Sequence, residues 1–318
     1  MKNWQWGALC ALLLVVAAGP YATGNMFALQ LATRVVILAI AAVGVQLIVG
    51  YGNLITLGHA VFVGLGVYVV GACSYFNTSA PLLANGLVEL AILLGVAVVV
   101  GYVTGNLSLK LRGIHFLMIT LAFGQMFYLA AVSASIFGGD DGMSIRTRPQ
   151  LPLLDLGSPY QRFALCAVVL VASIYLVARI VKSPFGLTLR ASASNEVRLG
   201  SSGYDVHRVR VAAYVISGLI TSLAGYLLAI QSEFVSPTVM HWSRSGDLVI
   251  MVVIGGRLRI GGPVIGATAL VLIEEIASRY TESWPVVLGL LLVGIAFARS
   301  VNLVSFKFPR LVGARTDA

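Results

Sequence analysis

Long apolar runs with almost no charge follow one another from end to end of this chain, and no other feature limits its fold as severely. They occupy roughly residues 5–22, 26–48, 54–76, 86–107, 114–137, 161–180, 209–231, 241–256, 263–280 and 284–300. Most approach the ~20 residues that an α-helix needs to cross the ~30 Å hydrocarbon layer of a bilayer. Mean hydropathy is +0.94 and only 10% of the 318 residues are charged, against about a quarter in soluble domains. Ten helices of ~20 residues use about 200 and leave about 118 for loops, too few for a separate soluble catalytic domain. The expected fold class is an all-α polytopic membrane protein of about ten transmembrane helices, organised as a single domain over 1–318.

The net charge of +9 is not a nucleic-acid surface, because the basic residues sit at the ends of apolar segments and form no continuous polar face. They set the orientation instead. With the N-terminus inside, the inner stretches hold 15 basic residues against three acids, and the outer stretches five against six. Both termini are therefore expected in the cytoplasm. Lys2 and the apolar run Gly7 to Ala18 resemble a signal peptide; a retained first helix is preferred, since it gives an even helix count that agrees with every later loop. Cys10, Cys73 and Cys166 all lie inside apolar runs and have neither disulfide nor metal-ligand spacing.

Two stretches break the helical pattern, one in each half: Gly50 through His59, and Gly255 through Pro263. Backbone that leaves the helix at membrane depth must be buried in protein or line a watery cavity, because lipid cannot satisfy its N–H and C=O groups. Paired breaks in opposite halves point to a translocation path; ordinary turns between short helices are the other reading. Gln46, Asn53, Thr56, His59, Thr120, Gln125 and Tyr128 are the polar residues that could line such a path. They could equally serve as hydrogen bonds between helices.

The longest inner polar stretch, 183–208, reads SPFGLTLRASASNEVRLGSSGYDVHR. It holds a helix-compatible run from Leu187 to Leu199 in which Leu189, Val197 and Leu199 alternate with Arg190, Glu196 and Arg198, ended by Gly200 and Gly203. A short amphipathic helix on the inner face suits docking in a partner's groove, or is a solvated connector. The outer loop, 138–160, opens Gly138-Gly139-Asp140-Asp141-Gly142-Met143 without calcium-loop spacing and reads as a turn. An ATP site of the Walker type is absent: Lys2, Lys110, Lys182 and Lys307 are the only lysines, and none follows a glycine. His59, His115, His207 and His241 show no metalloprotease spacing, so an intramembrane enzyme is disfavoured.

Several stretches carry a family resemblance. GYGNLITLGHAVFVGLGVY (50–68), KLRGIHFLMITLAFGQ (110–125), GGDDGM (138–143), the pattern G-x-x-LRA-x-x-x-NE with G-x-D closing it (186–205), and MVVIGGRLRIGGPVIGA (251–267) occur in collinear order. Together they resemble the LivM-type permease of branched-chain amino-acid ABC importers, a family that also includes urea and short-amide permeases. The resemblance implies broken or re-entrant segments in each half and a cytoplasmic coupling helix. It implies a heterodimer with a LivH-type sister permease, two cytoplasmic ATPase subunits and a periplasmic substrate-binding protein, in the bacterial inner membrane. No cofactor is expected in this chain, ATP and Mg belonging to the partner subunits. Arg190, Glu196, Gly203 and Asp205 are the implied ATPase-coupling residues. The cargo would be branched-chain or related small polar amino acids or amides. An ATP-independent channel or secondary carrier for a small polar solute such as urea is the alternative.

Overall fold

The computed structural model describes residues 26–76, 85–145, 149, 157–256, 258–280, 286, 289, 290 and 293. The expected first segment at 5–22, with Cys10 and the question of its retention, lies outside the described residues, as does nearly all of the segment at 284–300. Ten α-helices are described, several of them too short to span: α1 (Met26–Gln46), α2 (Ala60–Phe76), α3 (Gly86–Ser108), α4 (Ile114–Ser133), α5 (Pro159–Lys182), α6 (Pro184–Ser194), α7 (Glu196–Ser201), α8 (Val206–Ser232), α9 (Trp242–Gly255) and α10 (Gly262–Ser278). A π-helical turn, Leu47–Tyr51, extends α1. Among the described residues five helices are long and apolar enough to cross a membrane: α1 with its π turn, α3, α4, α5 and α8. The shorter apolar α2 joins them. The chain is a multi-pass α-helical membrane protein.

Local chemistry sets the helix ends. Asn85 caps α3 by accepting from the Leu87 N–H at 3.0 Å. Pro159 opens α5 at a position whose N–H would be orphaned anyway, and Arg179 and Lys182 lie in its last turn, where the helix dipole favours cations. Ser183 stops α5 and caps α6 through Gly186 N–H. The third apolar segment, expected from residue 54, becomes helical only at Ala60, because residues 52–59 form an irregular return. The fifth, expected to reach 137, leaves the α-helix at Ser133 and finishes in the 3-10 turn Ser135–Phe137.

Residues through Thr268 make one compact unit. At its centre α8 packs on α1, α2 and α3. α1 and α8 are mostly buried, whereas α3 and α4 leave most of their apolar surface uncovered, as lipid-facing walls do. The α2–α8 contact is close: a Cβ on Gly225 would lie 2.0 Å from the Val63 carbonyl oxygen. Where lipid gives no hydrophobic drive between helices, such backbone approach supplies dispersion contact instead. The stretches expected inside gather at one end: Asn106 of α3 meets His207, Arg112 meets Glu196, and Tyr51 meets Leu258. The stretches expected outside gather at the other, where Met143–Ser144 (β1) pairs antiparallel with Phe234–Val235 (β2) and Arg162 pairs with Glu233. A second unit starts at Ala269; within it Glu275 pairs with Arg279 at 3.1 Å.

Candidate functional site: a re-entrant break and an inner-end helical elbow

After the π turn the chain does not continue as a helix. Asn53 takes φ +53 and is exposed, and residues 52–59 run back to mid-depth. His59 there meets Ser217, eleven residues or about 16 Å along α8 from Val206. This non-helical backbone is satisfied by protein, as its depth requires. Thr56 Oγ1 accepts the Gly58 N–H at 3.2 Å, Thr120 Oγ1 accepts the Leu57 N–H at 3.3 Å, and Ser245 Oγ accepts the Ala60 N–H at 2.9 Å.

His59 is fully buried and bonded on both sides, to Ser217 Oγ at 2.8 Å and Thr56 Oγ1 at 3.3 Å. Ser217 donates its hydroxyl to the Gly44 carbonyl at 2.7 Å, and a carbonyl only accepts. The Ser217 oxygen therefore accepts from His59, which places a hydrogen on Nε2. His59, Thr56 and Ser217 thus tie the break to α1 and α8 at one node.

Four of the seven path residues expected from sequence cluster at this break: Thr56, His59, Thr120 and, at its inner end, Gln46, which donates to the Arg259 carbonyl. Gln125 lies farther along α4 with its buried Nε2 unbonded, and Tyr128 stacks edge-on against His241. Asn53 faces outward at the inner end. Beside the break is a small cleft lined by Gly58, Phe62, Thr104, Thr120, Phe127 and Tyr214 among others. Its lining combines aromatic faces with a few hydroxyls and carries no fixed charge. Among the described residues no group of His, Cys, Asp and Glu could hold a metal.

The inner stretch 183–208 folds as an elbow, α6 followed by α7. Leu189 is buried under it, and Arg190 clasps the corner by donating to the Val181 carbonyl at 3.2 Å and the Gly186 carbonyl at 3.4 Å. Glu196 bridges two arginines from other elements: Arg112, after α3, at 3.2 Å and Arg210, on α8, at 3.0 Å. Arg210 also donates to the Ser192 carbonyl at 2.8 Å. Gly203 turns the chain with φ +83, and Asp205 caps α8 through the Arg208 N–H at 3.1 Å while pairing with the Arg208 side chain at 2.8 Å. Arg190, Glu196, Gly203 and Asp205 thus hold the elbow in shape, while Leu187, Val197 and Tyr204 project outward.

Sequence reasoning missed Ser217, Tyr214, Tyr51, Arg112 and Arg210 as site residues. Ser217 and Thr221, one helical turn apart in an otherwise apolar run, are the signal that was present. The arginines looked like orientation charges only.

The description "Branched-chain amino acid transport system / permease component" belongs to the family that matches residues 27–296. The chain is 26% identical over 95% of its length to "High-affinity branched-chain amino acid transport system permease protein LivM" of Salmonella typhimurium, and 25% identical over the same share to the protein of that description from Escherichia coli; each match spans 76% of the relative. It is also 31% identical over 36% of its length to "Probable branched-chain amino acid transport permease protein LivH" of Methanocaldococcus jannaschii, covering 36% of that protein. No solved structure is significantly similar to it.

Proposed function

This chain belongs to the family of branched-chain amino-acid transport permease components, and from that membership we propose that it is one membrane half of an ATP-driven importer. The other half is a LivH-type sister permease. A periplasmic binding protein delivers the cargo, branched-chain or related small polar amino acids or amides. Two cytoplasmic ATPase subunits hold the ATP and Mg, and this chain carries no cofactor and catalyses no reaction. The full chain, 1–318, works as a single permease domain of about ten helices in the bacterial inner membrane, with both termini in the cytoplasm.

The observation that carries the mechanism is the double bridge from Glu196 to Arg112 and Arg210. It fastens the α6–α7 elbow to the turn after α3 and to the start of α8, so a push on the elbow reaches both helices at once. The outward Leu187, Val197 and Tyr204 supply the apolar anchors that a helix-in-groove contact needs. Arg190, Glu196, Gly203 and Asp205 act as positioning residues that keep this surface in place for an ATPase. The solute passes beside the re-entrant break, along the side formed by Thr120 and Gln125, with Gln46, Asn53, Thr56 and His59 framing it. None of these six is an acid or a lysine or arginine, so a zwitterion meets no fixed counter-ion to trap it.

Affinity purification of the tagged chain from its native membrane tests the reading. An ATPase subunit and a second permease should co-purify, and ATP hydrolysis should rise when the loaded binding protein is added. Isolation without any ATPase, together with solute uptake that needs no ATP, would instead establish a channel or carrier.

A further inference from the structure

The two breaks of the helical pattern, far apart in sequence, touch each other, and the contact lies where the ATPase-facing elbow can reach it. Gln46 Nε2 donates to the Arg259 carbonyl, and the Tyr51 hydroxyl donates to the Leu258 carbonyl at 3.4 Å. Gln46 and Tyr51 bracket the π turn Leu47–Tyr51, and both are buried. The carbonyls they hold belong to the tight turn after α9, where Gly256 has φ +95, Arg259 N–H bonds to Gly256 O at 3.1 Å and Gly262 N–H to Arg259 O at 2.9 Å. Resting on the importer reading above, we propose that Gln46 and Tyr51 form a latch that shuts the inner end of the path, and that α6 releases it.

One side of the latch is fixed. α1 is pinned to α8 so closely at Gly44 that a Cβ there would lie 2.6 Å from Thr221 Oγ1. The other side is compact at its base, where the backbones of Gly255 and Gly262 abut. Between them sits the π turn. Its wide i→i+5 bonding is a local irregularity that helices keep mainly at functional positions, and here Leu54 N–H still reaches back to the Ile48 carbonyl at 3.1 Å. Helix α6 packs directly on this turn. Arg190, which clasps the α5–α6 corner, lies within electrostatic reach of Tyr51. A displacement of the elbow therefore acts first on the residues that carry the latch.

The chemistry makes the contact two-state. When the latch parts, the bonds from a buried amide and a phenol to two carbonyls break together, and water can take their place. Opening thus coincides with admission of water to the inner end of the path. Side chain to backbone bonding also leaves the turn free to be built from any sequence that keeps its glycine geometry.

The test uses the complete transporter in proteoliposomes, in a background with Cys10, Cys73 and Cys166 replaced by alanine. A cysteine reporter at Thr56, which is fully buried, is challenged from the inner side with a membrane-impermeant methanethiosulfonate reagent. Without nucleotide, Tyr51→Phe and Gln46→Leu should each speed labelling about tenfold, the shift expected when an equilibrium loses one buried hydrogen bond; labelling at the parent rate in both overturns the latch. In a second arm, Tyr51→Cys and Leu258→Cys are joined by a reducible bifunctional methanethiosulfonate. Uptake should stop on linking and return on reduction, and equal uptake before and after reduction overturns the latch. Should the unmodified transporter show no ATP-driven uptake, the importer reading falls, while labelling of the Thr56 reporter still decides the latch.

Discussion

Replacing Glu196 by glutamine removes one charge from the elbow without changing its size, and the geometry fixes how much each arginine should matter. The Arg112 side chain is 71% exposed, so its 3.2 Å pair with Glu196 contributes less than ~1 kcal/mol after screening by water. The Arg210 side chain is 10% exposed and its 3.0 Å pair is a charge-assisted hydrogen bond of about 1.5–3 kcal/mol. Arg210 keeps the Ser192 carbonyl at 2.8 Å, so it is not left alone, and the cost falls short of that for a stranded buried charge. About 2 kcal/mol in all corresponds to roughly 30-fold in the lifting of the elbow from the bundle. Ser192, buried on α6, provides a reporter as Ser192→Cys in a cysteine-free background. Its thiol labelling should accelerate roughly 30-fold in Glu196→Gln but less than about fivefold in Arg112→Gln. Uptake per ATP should fall in Glu196→Gln while membrane insertion is unchanged. Equal effects of Glu196→Gln and Arg112→Gln, or no acceleration in either, would refute the double bridge as the elbow's fastening.

Other substitutions separate shape from contact. Gly225→Ala drives a methyl to 2.0 Å from the Val63 carbonyl and should lower the melting temperature of the purified protein by the equivalent of about 3 kcal/mol or more, while Gly200→Ala, with nothing within 4 Å, should leave it unchanged or higher. Ser217→Ala leaves His59 Nε2–H and the Gly44 carbonyl without their shared partner and should cost about 1–3 kcal/mol; an unchanged melting temperature would remove the node at the break. Asp205→Asn keeps an N-cap acceptor and should retain coupled ATP hydrolysis, whereas Asp205→Ala should lose about 1 kcal/mol of cap; equal impairment would mean that Asp205 acts through its charge. Gly203→Asn should be tolerated better than Gly203→Val in the same assay, because φ +83 admits asparagine far more readily than a β-branched residue.

Hydropathy located the apolar helices well because lipid leaves the backbone few alternatives to the helix. The runs at 86–107 and 209–231 became α3 and α8 with ends moved by three residues or fewer. The residues from Gly50 through His59 announced the break, but not how its backbone is satisfied at mid-depth. That outcome depends on acceptors from α4 and α9, Thr120 and Ser245, which no local pattern encodes. The elbow was legible as an amphipathic stretch ended by glycine. Its fastening was not, since Glu196 finds Arg112 and Arg210 only after three elements are packed. The same holds for the latch: each break was visible alone, and their meeting follows from the fold.

On the proposed function, this chain moves solute only when nucleotide turnover elsewhere pushes its inner elbow. Uptake of a radiolabelled branched-chain amino acid into proteoliposomes holding this chain, its sister permease and the ATPases, with the binding protein added outside, measures that directly. Accumulation above the external concentration with ATP, and none with a non-hydrolysable analogue or with the binding protein omitted, is the expected result. Uptake that merely equilibrates, at the same rate with and without ATP, would contradict it.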